Sequence, residues 1–381
     1  MKSFLTTYFL SLAVGITAIT AFTVLVDPFA FFNVVRVQGF NRNLVDDRHN
    51  YIHNVKPLHI RFRRPDAIFV GSSLVLVGLK PEGAESCSFD SPYNYGLPGL
   101  GSREVNTILR QAAEITSVRH ALVEASFRGY TTSRRGQSKV SAPIADMAWP
   151  YEALMNITYS YEAVRLSLKT LLYNLSGVRR EPSAPIDRQD QLRRRAKGLE
   201  RQARRNAGRP GPDLVGAYDS ALRDLDQTLS AAKAKGVNVT LFIPPTHVAK
   251  LLSYEHLGSW RFFEDWKKAV AAVAVKNGVP IWDFADYHTV SGAEPILVVS
   301  QYFIDSSHFR PNVGKLMMDR ICSATSSEAA ADGFGTRIDG IDIEGHLEAI
   351  RARGADFWRR HPDAAKFYKD IRKKGQGEPR G

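Results

Sequence analysis

Cysteine is nearly absent from this 381-residue chain: Cys87 and Cys322 are the only two. They form no Cys-x-x-Cys pair and no cysteine/histidine spacing that suits zinc, so neither a metal site nor thiol catalysis is expected, and no cofactor is expected either. One lies near the early core strands and the other on the last core helix, which is compatible with a disulfide in an oxidising compartment and equally with two buried thiols. Acidic residues are also in deficit, with 39 Asp and Glu against 51 Lys and Arg and a formal charge of +12. That balance favours anionic partners such as acidic polysaccharide, phospholipid headgroups or nucleic acid, although much of the charge lies in two local segments. Internal repeats are missing, which excludes solenoids and repeat arrays. A content of 44% hydrophobic and 10% aromatic residues excludes a disordered chain. The length suits one large α/β domain or two smaller ones.

Long uncharged runs are lacking as well, with one exception. Phe4 to Val26 carries no charge, and a stretch of about 20 such residues suffices to cross a bilayer as a helix. A cleavable signal peptide has a shorter apolar region and a clear small-x-small site, of which Ala18-Ile19-Thr20 is a weak version. Residues 1–26 therefore read as an uncleaved transmembrane signal anchor. Lys2 precedes the run and Asp27 follows it, so the short N-terminus is expected inside and everything from Asp27 onward outside. The expected location is the inner (cytoplasmic) membrane, single-pass, with the main domain in the periplasm or outside. Phe29, Phe31 and Phe32 are then expected at the outer interface.

Residues 27–65 are polar and rich in Arg, His and Asn, and read as a connector that ends at Pro65. Residues 66–325 carry an α/β rhythm. Asp66 to Val70 predicts a strand, Ser91 to Gly99 a short second strand leading into a glycine-rich loop, Glu104 to Ile115 a helix, and His120 to Ser126 the next strand. This order implies parallel pairing with right-handed crossovers. Met147 to Leu175 has helical spacing. A basic insertion near residues 178–213, with Arg179-Arg180, Arg193-Arg194-Arg195 and Arg204-Arg205, reads first as a solvated segment and second as an anion-binding surface. No nucleic acid partner is expected for an exported chain. Helices over Leu214–Lys235 and Trp260–Lys276, each followed by a glycine, alternate with strands at Val237–Ile243 and Val279–Phe284. A last core helix spans Asn312–Cys322. Residues 326–381 form a polar, charged extension with one amphipathic stretch, His346 to Trp358, and a basic end at Lys373-Lys374.

The stretch Ala67-Ile68-Phe69-Val70-Gly71-Ser72-Ser73 carries the chemistry. An apolar strand that stops at glycine and a hydroxyl is what a nucleophile at the carboxyl edge of a parallel sheet requires, and sites in such sheets gather there. A serine hydroxyl needs an imidazole to take its proton and a carboxylate to orient that imidazole. Asp305-Ser306-Ser307-His308 supplies both, three residues apart. Gly-x-Ser spacing favours Ser73 over Ser72 as nucleophile. His247 reads as a loop histidine or a pocket residue.

Phe69-Val70-Gly71-Ser72-Ser73, Asn94-Tyr95-Gly96-Leu97-Pro98-Gly99 and Asp305-Ser306-Ser307-His308-Phe309 together resemble the SGNH (GDSL-like) hydrolase superfamily. The resemblance is to its membrane-anchored bacterial branch, related to polysaccharide O-acyltransferases, and it covers roughly residues 27–325. It implies a three-layer, doubly wound parallel sheet (SGNH/flavodoxin-like) behind one N-terminal transmembrane helix. It implies Ser73 as nucleophile, Asp305 as orienting acid, His308 as general base, and the backbone N–H groups of Ser73 and Gly99 as oxyanion donors. The family's Asn after the third strand is missing here, where Glu124-Ala125-Ser126-Phe127-Arg128 stands; Ser126 or Arg128 is the substitute donor on offer. The implied activity is a serine esterase or O-acyltransferase acting through an acyl-enzyme on an acylated cell-envelope or extracellular glycan, or on a small acyl ester. The implied partners are the membrane, through the N-terminal helix, and a membrane-embedded acyl carrier. The alternative is a catalytically weak, glycan-binding accessory module of a polysaccharide-modification system, favoured by the missing Asn and the basic insertion.

Overall fold

Ala67-Ile68-Phe69-Val70-Gly71 is buried at every position, the pattern of a strand covered on both faces, and it is paired in parallel on both sides. The computed structural model places it inside a six-stranded sheet. The structure describes residues 2–45, 52–115, 117–131, 149–176, 218–256, 258–292, 301–323, 333–363 and 366. The basic insertion near 178–213, the start of the helix expected from Leu214, and the basic end at Lys373-Lys374 lie outside the described residues.

In chain order, α1 (Lys2–Val26) and α2 (Ile52–Arg63) precede β1 (Ala67–Gly71), α3 (Ser73–Gly78), β2 (Pro92–Gly96), α4 (Ser102–Ala113), β3 (His120–Glu124) and α5 (Phe127–Thr131). Next come α6 (Trp149–Tyr159), α7 (Tyr161–Leu175), α8 (Asp219–Ala234), β4 (Asn238–Ile243), α9 (Val248–His256) and α10 (Trp260–Asn277). The chain continues with β5 (Ile281–Asp283), the short α11 (Thr289–Gly292), α12 (Pro311–Cys322), β6 (Thr336–Arg337) and α13 (Ile343–Arg360). The single helix expected over Met147–Leu175 is two helices. Ser160 stops the first and caps the second, its hydroxyl accepting the Ala163 N–H at 3.0 Å.

The chain divides into two units, the first made of Met1–Arg64 with Val140–Pro185. Its α1 is, among the described residues, the one helix long and apolar enough to cross a membrane. The turn that follows is held by buried polar groups. Asp27 is fully buried and accepts from the Phe31 and Asn33 N–H groups at 2.8 and 2.9 Å and from Arg36 Nη2 at 2.7 Å. Asn41 Nδ2 donates to the Leu25 carbonyl at 2.8 Å, one of the four that a helix end leaves open. The region read as a connector thus carries a helix and a tight polar turn. Phe29, Phe31 and Phe32 pack inward with Val55 and Leu58 of α2 and with Ala153, Ile157, Ala163 and Leu166 of α6 and α7.

The second unit is made of Pro65–Lys139 with Ile186–Gly381. Its sheet runs in the order β2-β1-β3-β4-β5-β6. The first five strands are parallel and the two-residue β6 pairs antiparallel on β5. The order reverses at β1, so loops after β1 and β3 leave a crevice at the carboxyl edge, where ligands settle in open α/β sheets. Gly278 closes α10 in the left-handed region, at φ 67°. The C-terminal extension is anchored: His346 of α13 and Lys267 of α10 meet the same Asp283 oxygen at 3.0 and 2.6 Å, all three buried.

Candidate active site

Two close approaches of backbone bring the chemistry-bearing loops together. A Cβ on Gly96 would lie 2.2 Å from the Leu76 N, and one on Gly71 would lie 2.5 Å from a Glu124 oxygen, so α3 starts directly over the ends of β1 and β2 because both residues are glycine. Asn94 then holds the far end of α3, donating to the carbonyls of Val75 at 2.7 Å and of Leu79. The other half of the site is the turn 302–310, closed by an antiparallel bridge between Phe303 and Phe309. Both phenylalanines are fully buried in the cluster that also holds Leu74 and Val75 of α3 and Val313 and Met317 of α12. Gly78 lies against the Phe309 ring and Gly314 against the Gly78 carbonyl, where an added Cβ would sit 2.0 Å away in either case. The Cys87–Cys322 disulfide ties the loop after α3 to the end of α12, which settles the pairing left open by the sequence.

Ser73, His308 and Asp305 meet. Ser73 Oγ lies 2.9 Å from His308 Nε2, and His308 Nδ1 lies 2.7 Å from Asp305 Oδ2. The other carboxylate oxygen, Asp305 Oδ1, accepts from the Ser307 and His308 N–H groups at 2.7 and 2.8 Å. Burial works against ionisation of Asp305, but these hydrogen bonds outweigh it and hold the carboxyl down to about 2. The His308 side chain is 29% exposed and that of Asp305 49%, so the group opens to solvent. As the first residue of α3, Ser73 has an N–H with no carbonyl to bond within the helix.

The remaining expected residues take varied places. Gly99 lies in the loop after β2 at φ 73°, and that loop is tied to the end of β1 by the Leu97 N–H donating to the Gly71 carbonyl at 3.0 Å. The Ser126 hydroxyl bonds Glu124. Arg128 is exposed on α5 and its charge acts on Lys250. His247 is buried, accepts the Ala249 N–H on Nδ1 at 3.1 Å and stands edge-on to Phe303.

Three functions were not assigned from the sequence. Ser72 is the N-cap of α3: its hydroxyl accepts the Leu74 N–H at 3.2 Å and donates to both Glu124 oxygens at 2.9 Å. Glu124 also accepts the Ser72 N–H at 2.7 Å. Burial pushes its carboxyl up, while the bonds from Ser72 and Ser126 and the charge of Lys250 pull it back. Lys250, on α9, is pushed down to about 8 by burial and by Arg128, against the attraction of Glu124 and Asp305. An acid that ends a buried strand two positions before Ser126, one of the two donors on offer, was the available signal for Glu124; Lys250 had none. Among the described residues no three His, Cys, Asp or Glu side chains gather as a metal ion needs.

No protein-family model matches the chain, and no curated protein matches it.

Proposed function

We propose that the chain is a membrane-tethered serine esterase or O-acyltransferase of the SGNH type. The observation that carries the reading is the aligned pair of contacts, Ser73 Oγ to His308 Nε2 at 2.9 Å and His308 Nδ1 to Asp305 Oδ2 at 2.7 Å, at the carboxyl edge of a mostly parallel sheet. Ser73 Oγ attacks an acyl carbonyl and its proton passes to His308 Nε2. Asp305 accepts the Nδ1–H and stabilises the imidazolium that forms. The carbonyl oxygen becomes an oxyanion facing the Ser73 and Gly99 N–H groups, and one such donor contributes about 2.7–4 kcal/mol to the transition state. Collapse expels the alcohol, which takes the proton from His308, and leaves an acyl-Ser73 ester. Water or a sugar hydroxyl, deprotonated by His308, then resolves it as hydrolase or transferase, with an acylated envelope glycan as the substrate class and a membrane-embedded acyl carrier as donor.

The strand order of the first five strands, 2-1-3-4-5, supports a three-layer doubly wound arrangement. The closed disulfide favours an oxidising compartment and hence an outward-facing domain behind an anchored α1. A second reading, a catalytically weak glycan-binding module, is favoured by the end of β3: Glu124 stands there, engaged with Ser72, and no Asn follows. The full chain in detergent separates the two. Cleavage of a small acetyl ester together with fluorophosphonate labelling, both abolished by Ser73→Ala, is the expected result. Absence of both in the folded wild-type chain overturns the enzyme reading.

A further inference from the structure

The α6–α7 hairpin carries apolar side chains on both its faces, with exposed Glu152 and Asn156 among those on the outer side of α6. Its inner face, with Ala153, Ile157, Ala163 and Leu166, fills the core of the first unit. Its outer face carries Met155 and Tyr159 at helical spacing on α6, then Tyr161, Leu168, Leu172 and Leu175 along one side of α7, with exposures from 38% for Tyr159 to 78% for Tyr161. A surface helix in water turns polar residues outward, whereas one that is apolar all round is buried or faces lipid. The charged groups of the hairpin are placed as lipid seating needs: Glu162 and Arg165 neutralise each other at 2.6 Å, Lys169 has a stem long enough to reach headgroups, and exposed Glu152 stands in the first turn of α6, at the end away from the tip.

The position of the hairpin along α1 selects the occupant. Tyr159, at the tip, shares a hydrogen bond of 2.7 Å with Thr20 Oγ1. Thr20 stands six residues before Val26, or about 9 Å back along the helix at 1.5 Å per residue. At its other end α7 meets the turn after α1: Asn174 bonds the Asn43 backbone in both directions at 3.0 and 2.8 Å, and Asn41 in that turn bonds Leu25. The hairpin thus runs alongside the last turns of α1 with its tip toward the middle of the apolar span. Amphipathic helices lying in a membrane interface bury their apolar face about 5–10 Å into the headgroup and acyl boundary, the depth reached here. Tyrosine at the tip suits that zone.

We infer that the outer face of the α6–α7 hairpin is seated in the lipid bilayer, in the leaflet where α1 ends, as an interfacial wedge with Tyr161 deepest, Leu168 intermediate and Leu175 shallowest. The inference uses α1 as a membrane span and does not depend on the chemistry of Ser73.

The test uses the full chain with its native disulfide closed, one copy per phosphatidylcholine/phosphatidylglycerol nanodisc. Tyr161→Cys, Leu168→Cys and Leu175→Cys are labelled singly with a nitrobenzoxadiazole dye, beside Val14→Cys on α1 and Arg103→Cys on α4 as lipid and water controls. Expected are quenching by doxyl-labelled lipid and at least five-fold slower reduction by dithionite at 161 and 168 than at 103, with protection falling from 161 to 175. Reduction at 161 and 168 as fast as at 103, while 14 stays protected, overturns the wedge and leaves the face to a protein partner. Reduction at 14 as fast as at 103 removes the span and the inference with it.

Discussion

Glu124 grips Ser72, the residue beside the candidate nucleophile, through the Ser72 N–H at 2.7 Å and the Ser72 hydroxyl at 2.9 Å. The contact fixes the turn between β1 and α3 and therefore the direction in which Ser73 leaves the backbone. Glu124→Ala leaves the half-buried Ser72 amide and hydroxyl without their acceptor, an effect of about 1 kcal/mol on stability. It is also expected to slow fluorophosphonate labelling of Ser73 by about tenfold or more, since loss of alignment of that order is common when a reacting group is misplaced by an ångström. Glu124→Gln keeps an acceptor oxygen and should fall between the two. Equal labelling rates in the wild type and Glu124→Ala show that the grip has no part in placing Ser73.

Asp305 is expected to act through His308 alone. Its amide replacement, Asp305→Asn, keeps the shape but presents a donor where Nδ1–H needs an acceptor, so the imidazole turns to the wrong tautomer. A fall in kcat of about 10⁴ with little change in KM is the expected size of that effect. Because the carboxyl is held down to about 2, the wild-type Asp305 stays ionised throughout the range in which the fold can be assayed. Any acid limb of the wild-type profile above pH 4 must then come from another group, and a wild-type chain whose activity titrates in step with Asp305 would contradict this account.

Gly314→Ala tests the backbone contact that brings the two halves of the site together. The added Cβ would fall 2.0 Å from the Gly78 carbonyl oxygen, and a backbone atom cannot swing aside as a flexible side chain does. Overpacking of this kind costs about 1–3 kcal/mol, and here it pushes α12 and the His308 turn away from α3. Labelling of Ser73 should therefore fall while the fold survives. Gly340→Ala, which adds a methyl where nothing lies within 4 Å, is the control that should leave both unchanged.

The disulfide clamps the same two elements from the other side. It joins residues 235 apart in sequence, so its removal frees a long loop in the unfolded chain, and native disulfides typically contribute about 2–4 kcal/mol. The double variant Cys87→Ser/Cys322→Ser should melt several degrees lower than the wild type, and a reductant should lower the wild-type melting temperature toward that of the variant. A melting temperature that neither change moves would show that the clamp carries no stability.

How far the sequence disclosed this arrangement depends on the range of each interaction. β1 was legible because a strand buried on both faces reads as an unbroken apolar run, β3 and β4 because their short apolar stretches lie between turn signals, and Ser73, Asp305 and His308 because their chemistry needs those residue types at strand ends. α2 escaped because buried Lys56 and His59 interrupt its apolar positions Val55, Leu58 and Ile60, and Pro57 lies inside it. The phenylalanines after α1 pack against α2, a helix the polar composition concealed. Glu124 on Ser72 and His346 on Asp283 join residues 52 and 63 positions apart. Such pairings have no local periodicity, so only the fold reveals them. The two-residue β6 is too short to leave a pattern.

His59 makes the first unit sensitive to acid. It is buried on α2, with its ring stacked on Phe31 at 5.4 Å between centroids. Burial, followed by the charges of Arg63 and Lys56, pushes its imidazole down to about 3, against a hydrogen bond with the Ala30 backbone that raises it. An unfolded histidine titrates near 6.5, so between these values the unfolded segment binds a proton that the folded one refuses. Stability therefore rises with pH across this window and is lost as pH falls below about 6.5. At pH 5 the loss from this group amounts to roughly 2 kcal/mol. Hydrogen exchange of α2 peptides in the full chain, corrected for intrinsic rates, should report a smaller opening free energy at pH 5 than at pH 7 by about that amount. In His59→Phe, which keeps an aromatic ring on Phe31 but cannot take up a proton, the two values should converge. A wild type and variant with the same pH dependence would assign the acid sensitivity to a different group.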